Sequence, residues 1–173
     1  MDAESTIKVA IADAHLVYRT GLRKALESRP FLDILWAESN GDGLLQKMQI
    51  KTPDILLMDV NIPKMDGLKV IKTLRNNYKD LIIVVLSLYE GYDLVTKTMK
   101  MGANAYLRKI SNPDEIYQAI ITCMNENLYL NDLVQNALYS NFNNQRVAKN
   151  SASKGKPFIR ERNKNTKISG GRL

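Results

Sequence analysis

Residues 81–86, Leu-Ile-Ile-Val-Val-Leu, place six apolar side chains in a row. Successive positions on a β-strand point to opposite faces, so such a run is satisfied only where both faces are covered. A strand covered on both sides belongs inside a parallel sheet flanked by its crossover helices. Four further short runs fit the same sheet, at residues 7–12, 33–37, 54–59 and 103–107. Between and after them lie stretches of helical spacing at 15–28, 41–50, 67–77, 92–100 and 114–125. In the last, Ile116, Ala119, Ile120 and Cys123 form one apolar stripe, and Asn112-Pro113-Asp114-Glu115 supplies a cap, a proline and first-turn acids. Strand and helix alternate five times. With right-handed crossovers this predicts a doubly wound α/β fold around a five-stranded parallel sheet.

The length of 173 residues, 45% hydrophobic and 25% charged, fits one compact domain with a tail. No stretch approaches the roughly 20 apolar residues of a membrane-spanning helix. Met1-Asp2-Ala3-Glu4 also lacks the basic and apolar regions of a signal peptide, so a cytoplasmic protein with no membrane contact is expected. Cys123 is the one cysteine and His15 the one histidine, which excludes an internal disulfide and a Cys/His zinc cluster. The net charge of +7 is unevenly spread. Residues 143–173 hold nine of the 25 basic residues and, in Glu161, one of the 18 acidic ones. The body is therefore near neutral and the tail strongly basic. Such a tail is most often a solvated, disordered end, and otherwise an arm for an acidic partner such as nucleic acid.

In doubly wound sheets, ligands bind at the carboxyl ends of the strands. There the first run delivers Asp13, the third Asp59, the fourth Ser87 and the fifth Lys109. Each has an ordinary reading alone: Asp13 or Ser87 as a cap, Asp59 as a turn former, Lys109 as a surface charge. Four such residues at the ends of four strands form one rim. Pro63 and Gly67, which fix φ and relieve strain, suit any β-to-α loop and support the fold more than the chemistry. His15 reads as structural. Cys123, Met48, Met58, Met99, Met101 and Met124 read as packing, and Asp42, Lys64 and Asp66 as a solvated rim.

Four stretches, at 9–15, 57–67, 85–87 and 102–109, resemble the response-regulator receiver domain (CheY-like) over residues 7–126. The second, Leu57-Met58-Asp59-Val60-Asn61-Ile62-Pro63-Lys64-Met65-Asp66-Gly67, is highly specific. Ala12-Asp13-x-His15 and Gly102-Ala103-x-x-Tyr106-Leu107-x-Lys109 are most similar to the LuxR-type (NarL/FixJ) subgroup. The resemblance implies a receiver over residues 5–127 in a two-component system. Asp59 would accept the phosphoryl group from a sensor histidine kinase or a small phosphodonor. Asp13, Asp59 and the backbone carbonyl of Asn61 would hold Mg²⁺, and Ser87 and Lys109 would bind phosphate oxygens. Ser87 and Tyr106 would form the switch. Such chemistry needs a metal and fixed donors because two anionic groups are brought together, and Mg²⁺ suits carboxylate, carbonyl and water ligands.

Output is expected through changed partner or homodimer contacts on the face of the fourth helix, fifth strand and fifth helix, in transcriptional regulation. No enzyme acting on an external substrate is implied, only self-phosphorylation and self-dephosphorylation. One position departs from the pattern. The family usually carries two adjacent acids after the first strand, and here the second place is Ala14. A weakened Mg²⁺ site is expected. The departure leaves a second reading open, a pseudo-receiver that holds one state without phosphorylation.

Residues 128–142 read as a linker helix with Leu133, Val134, Ala137 and Leu138 on one side. A LuxR-type helix-turn-helix output domain needs about 60 residues, and 31 follow Phe142. Residues 143–173 are therefore expected to be a disordered basic tail. It would be the remnant of a truncated output domain, faintly similar at residues 157–162 to the start of one, or native to a stand-alone receiver. A DNA-binding regulator using this tail is the alternative function. A separate enzymatic role is disfavoured, since no Gly-rich phosphate loop follows the first strand.

Overall fold

A computed structural model describes residues 6–154, and side chains through residue 148. The elements run β1 (Ile7–Ala12), α1 (Leu16–Glu27), β2 (Leu32–Glu38), α2 (Gly41–Ile50), β3 (Ile55–Met58) and α3 (Gly67–Asn77). They continue with β4 (Ile82–Ser87), α4 (Tyr92–Lys100), β5 (Ala105–Arg108), α5 (Pro113–Glu126) and α6 (Asp132–Lys154). The five strands form one parallel sheet in the order β2-β1-β3-β4-β5. This is the expected doubly wound architecture, with boundaries moved by one or two residues and an extra C-terminal helix. From β1 the chain winds first to β2 on one side and then to β3 on the other. The crevice of such a sheet opens at this reversal, at the carboxyl ends of β1 and β3.

Alternation along each strand feeds two cores. In β3, Leu56 and Met58 join Leu44, Met48, Val70, Ile71, Leu74 and Val95 beneath α2, α3 and α4. Ile55 and Leu57 join Leu22, Leu26, Ile116, Ala119, Ile120 and Cys123 beneath α1 and α5. Truncating one of these buried leucines to alanine is expected to cost about 2–5 kcal/mol. Local signals set the helix starts. Asn40 Oδ1 caps α2 through Gly43 N, and Asn112 Oδ1 caps α5 through Glu115 N with Pro113 in the first turn. Met48 and Met58 are buried, and Met99 and Met101 pack against the core, but Met124 is exposed on α5. Among the described residues, no helix is long and apolar enough to cross a membrane.

The C-terminal helix differs from the expected 128–142. It starts at Asp132 and runs to Lys154, into the segment expected to be disordered. Pairs one turn apart carry it past Phe142: Gln145 Nε2 donates to Asn141 Oδ1 at 2.9 Å, and the Arg146 guanidinium lies 5.8 Å from the Phe142 ring centre. Its first half is docked on the domain. Val134 and Ala137 are fully buried, Thr96 Oγ1 donates to the Ala137 carbonyl, and Lys100 Nζ donates to Asn141 Oδ1. The basic residues beyond Lys154 and the stretch 157–162 lie outside the described residues.

Candidate functional site

Parallel pairing continues one residue beyond the strands and so fixes the backbone of three rim residues. Asp13 N donates to Glu38 O at 2.9 Å, Asp59 N to Ala12 O at 2.9 Å, and Lys109 N to Ser87 O at 2.8 Å. All four side chains named from the sequence are buried: Asp13 and Asp59 are 2% exposed, Ser87 0% and Lys109 7%. Buried charges must be paired. The Lys109 ammonium lies 2.6 Å from Asp13 Oδ2, 2.6 Å from Asp59 Oδ2 and 3.0 Å from His15 Nδ1. Two carboxylate oxygens and one ring nitrogen thus surround its three N–H groups. The Tyr18 ring stands 5.0 Å from the same nitrogen, in cation–π range. Burial, and then the charges of Asp13 and Asp59, push the Tyr18 hydroxyl pKa well up, so it remains a neutral phenol.

The turn after β3 orients Asp59. Its Oδ1 accepts from Asn61 N at 2.9 Å, which ties the Asn61 backbone to the carboxylate. Gly67 is required for close approach rather than for an unusual φ. A Cβ there would lie 2.1 Å from the Val60 carbonyl oxygen. The left-handed residue of this loop is Lys64, at φ 71°. Asp66 is no free rim acid, because its Oδ1 caps α3 through Leu68 N and Lys69 N. Asp42 and Lys64 do form a solvated rim pair at 3.4 Å.

Ser87 and Tyr106 meet at one residue. Tyr89 N donates to Ser87 Oγ at 3.1 Å, while Tyr106 Oη donates to Tyr89 O at 2.7 Å. The Tyr106 side chain is wholly buried, and burial is the main cause that raises its hydroxyl pKa. Its backbone carbonyl accepts from Asn131 Nδ2 at 3.1 Å. The face expected to meet partners is thus already partly occupied, because α6 lies over α4 and the edge of β5.

Sequence reasoning underrated His15. It follows Asp13 by two residues and caps α1 by position, which turns it toward the strand ends. Its backbone N–H donates to Asp13 Oδ1 at 2.8 Å, and its Nδ1 lies 3.9 Å from Asp59 Oδ2. Tyr18 and Tyr89 were also missed, since an aromatic near a helix start carries no distinctive signal. Arg19 reaches the rim by donating to the Asp13 backbone carbonyl. Ligand atoms of Asp13, His15 and Asp59 lie within 4.8 Å of one another. Two carboxylates face one ammonium, so the donor set has both the oxygens and the spare negative charge that a divalent cation requires.

The sequence profile described as "Response regulator receiver domain" matches residues 9–121. A transcriptional regulatory protein of Brevibacillus brevis, DegU, is 27% identical over 139 residues, covering 80% of this chain and 59% of that protein. The uncharacterized transcriptional regulatory protein YhcZ of Bacillus subtilis is 33% identical over 110 residues, 64% of this chain and 51% of its own length. The chain therefore spans little more than half the length of these relatives. A crystal structure of a LuxR-family two-component response regulator from Aurantimonas superposes with a TM-score of 0.73 at 23% identity, covering 79% of this chain and 98% of that one. At that identity the likeness speaks for the fold alone.

Proposed function

Because the chain belongs to the response regulator receiver domain family of two-component systems, we propose that it accepts a phosphoryl group on Asp59 and relays the event through Ser87 and Tyr106. The observation that carries this reading is the Lys109 ammonium held 2.6 Å from Asp59 Oδ2, in a buried rim shared with Asp13. An Asp59 carboxylate oxygen attacks phosphorus of the donor. The new O–P bond forms as the bond to the leaving group breaks, P–N for a histidine kinase, and its electron pair departs with that nitrogen. Lys109 follows the developing charge onto a phosphoryl oxygen, and Ser87 Oγ offers its hydroxyl to another.

Asp13, Asp59 and the Asn61 carbonyl are the groups that would hold Mg²⁺, which when bound supplies charge neutralisation to the phosphoryl oxygens. Receiver domains of response regulators are generally not enzymes, and this one would modify only itself. For Ser87 to turn toward a phosphate it must release Tyr89 N, and Tyr89 is also the acceptor for Tyr106 Oη. Phosphate would thereby loosen the start of α4 and the seat of α6. A partner or a second copy reaching α4 and β5 meets α6 first. Tyr106→Ala should therefore remove phosphate-dependent self-association.

The test is mass spectrometry after incubation with a small phosphodonor, with and without Mg²⁺. One phosphate is expected per chain, dependent on Mg²⁺ and lost in Asp59→Asn. Ala14 favours the second reading, a receiver locked in one state. The absence of any phosphate adduct at saturating donor and metal would select it.

A further inference from the structure

The proposed acceptor site has Ala14 where the family usually carries a second acid, and an imidazole, His15, stands one residue later. In the Lys109 cluster, an ammonium has three N–H donors, and its three near neighbours are Asp13 Oδ2, Asp59 Oδ2 and His15 Nδ1 at 2.6, 2.6 and 3.0 Å. Nδ1 accepts from this cation when the ring proton sits on Nε2, which is the tautomer that a metal ion bound through Nδ1 also requires. Asp13 Oδ1 accepts from the His15 backbone N–H at 2.8 Å and lies 3.1 Å from the same ring nitrogen. An oxygen, oxygen, nitrogen donor set thus already converges on one positive charge. The His15 side chain is 56% exposed, which lets the ring follow a new cation without disturbing the core. Arg19 brings its charge to the Asp13 carbonyl and leaves both carboxylates to the cluster.

We infer that His15 Nδ1 is a metal ligand of this site beside Asp13 and Asp59, and that the site prefers a first-row transition divalent ion to Mg²⁺. This rests on the phosphoryl-acceptor reading and deepens it. Mg²⁺ is a hard ion that takes oxygen ligands and holds its water, whereas imidazole nitrogen favours cobalt, nickel and zinc. Mg²⁺ gains nothing from His15 and keeps the two carboxylates. An ion such as Co²⁺ gains a third protein ligand. Lys109 would yield part of its contact with the carboxylates to the ion, its flexible stem leaving the ammonium free for a phosphoryl oxygen.

The experiment titrates the full chain with Co²⁺ and with Mg²⁺ by calorimetry and records proton NMR of the Co²⁺ form. Co²⁺ should bind at least about tenfold more tightly than Mg²⁺. One exchangeable, hyperfine-shifted imidazole N–H should appear, from Nε2 of a ring bound through Nδ1. His15→Gln should remove that resonance and weaken Co²⁺ about tenfold while leaving Mg²⁺ within about twofold. Equal losses for both ions, no loss for either, or no shifted N–H would overturn the inference. In those cases Mg²⁺ binding and Mg²⁺-dependent phosphorylation of Asp59 would still stand. If neither ion binds and Asp59 takes no phosphate, the acceptor reading falls with it.

Discussion

The sheet carries a polar cluster at each end, and the two are built on opposite principles. At the amino end, Arg75 donates to the Gly102 carbonyl at 2.8 and 3.1 Å, to the Lys79 carbonyl at 2.8 Å and to Asn104 Oδ1 at 2.7 Å. Asn104 in turn accepts from Ile83 N and donates to the carbonyl and the side chain of Asn127. Each of these acceptors is a neutral backbone carbonyl or side-chain amide oxygen. Gly102 belongs to the device, at φ 111° with the Arg75 stem 2.9 Å from where its Cβ would stand. Burial lowers the Arg75 pKa, with Asp80 opposing. At the carboxyl end, two carboxylates share one ammonium, and its remaining neighbour is an exposed imidazole. In the first cluster the Arg75 charge is met by neutral oxygens of the protein itself. The second retains negative charge and donors that can be redirected, which is what a site for a cation and a phosphoryl group requires.

The contrast is broken most directly at Lys109. Lys109→Met should leave Asp13 and Asp59 buried without their cation and cost about 3–5 kcal/mol at neutral pH, read by urea unfolding. Adding Asp13→Asn, or a divalent ion, should restore much of that loss. An unchanged midpoint would mean that the carboxyl end is no charged cluster. Asn104→Ala tests the other end. It orphans Ile83 N and one Arg75 donor, so stability should fall by about 2 kcal/mol. The rate of phosphate uptake at Asp59 should not change, and a parallel fall would show that the two ends are coupled.

Asn131→Ala sharpens the boundary between the site and the docked helix. Asn131 Oδ1 caps α6 through Val134 N at 3.0 Å, and its Nδ2 holds the Tyr106 carbonyl. Loss of the side chain should cost about 1 kcal/mol and speed amide exchange in α6 before the rest of the domain. The smallest effect concerns Cys123. Burial first, and then Glu126, push its thiol up to about 12. A thiol reagent at pH 8 should label it only as fast as the chain unfolds. Because the folded state keeps this proton to higher pH than the unfolded chain, its contribution is present below the ordinary thiol pKa and fades as pH rises toward 12.

Much of this could be read before the fold was known. The apolar run 81–86 became β4, with every residue of Ile82–Ser87 buried. The stripe Ile116, Ala119, Ile120 and Cys123 became the buried face of α5. Asp13, Asp59, Ser87 and Lys109 reach one edge because each follows or ends a parallel strand, and the period that marks a strand and its end is a local and repetitive property. The length of α6 was misjudged at Phe142, since Asn-rich sequence has weak helix propensity and pairs such as Arg146 with Phe142 carry it further. Gly67 was assigned to backbone strain, whereas the cause is a carbonyl brought close by the returning chain.

Periodicity and turn chemistry in the sequence alone determined the doubly wound sheet and the identity of its charged rim. Tertiary structure alone decided that His15 joins that rim, that Ser87 and Tyr106 share Tyr89, and that α6 covers the face of α4 and β5. The physical reason is range. Hydrophobic period and capping act within a few residues, while these contacts join residues as far apart as His15 and Lys109 and exist only after the strands are ordered side by side.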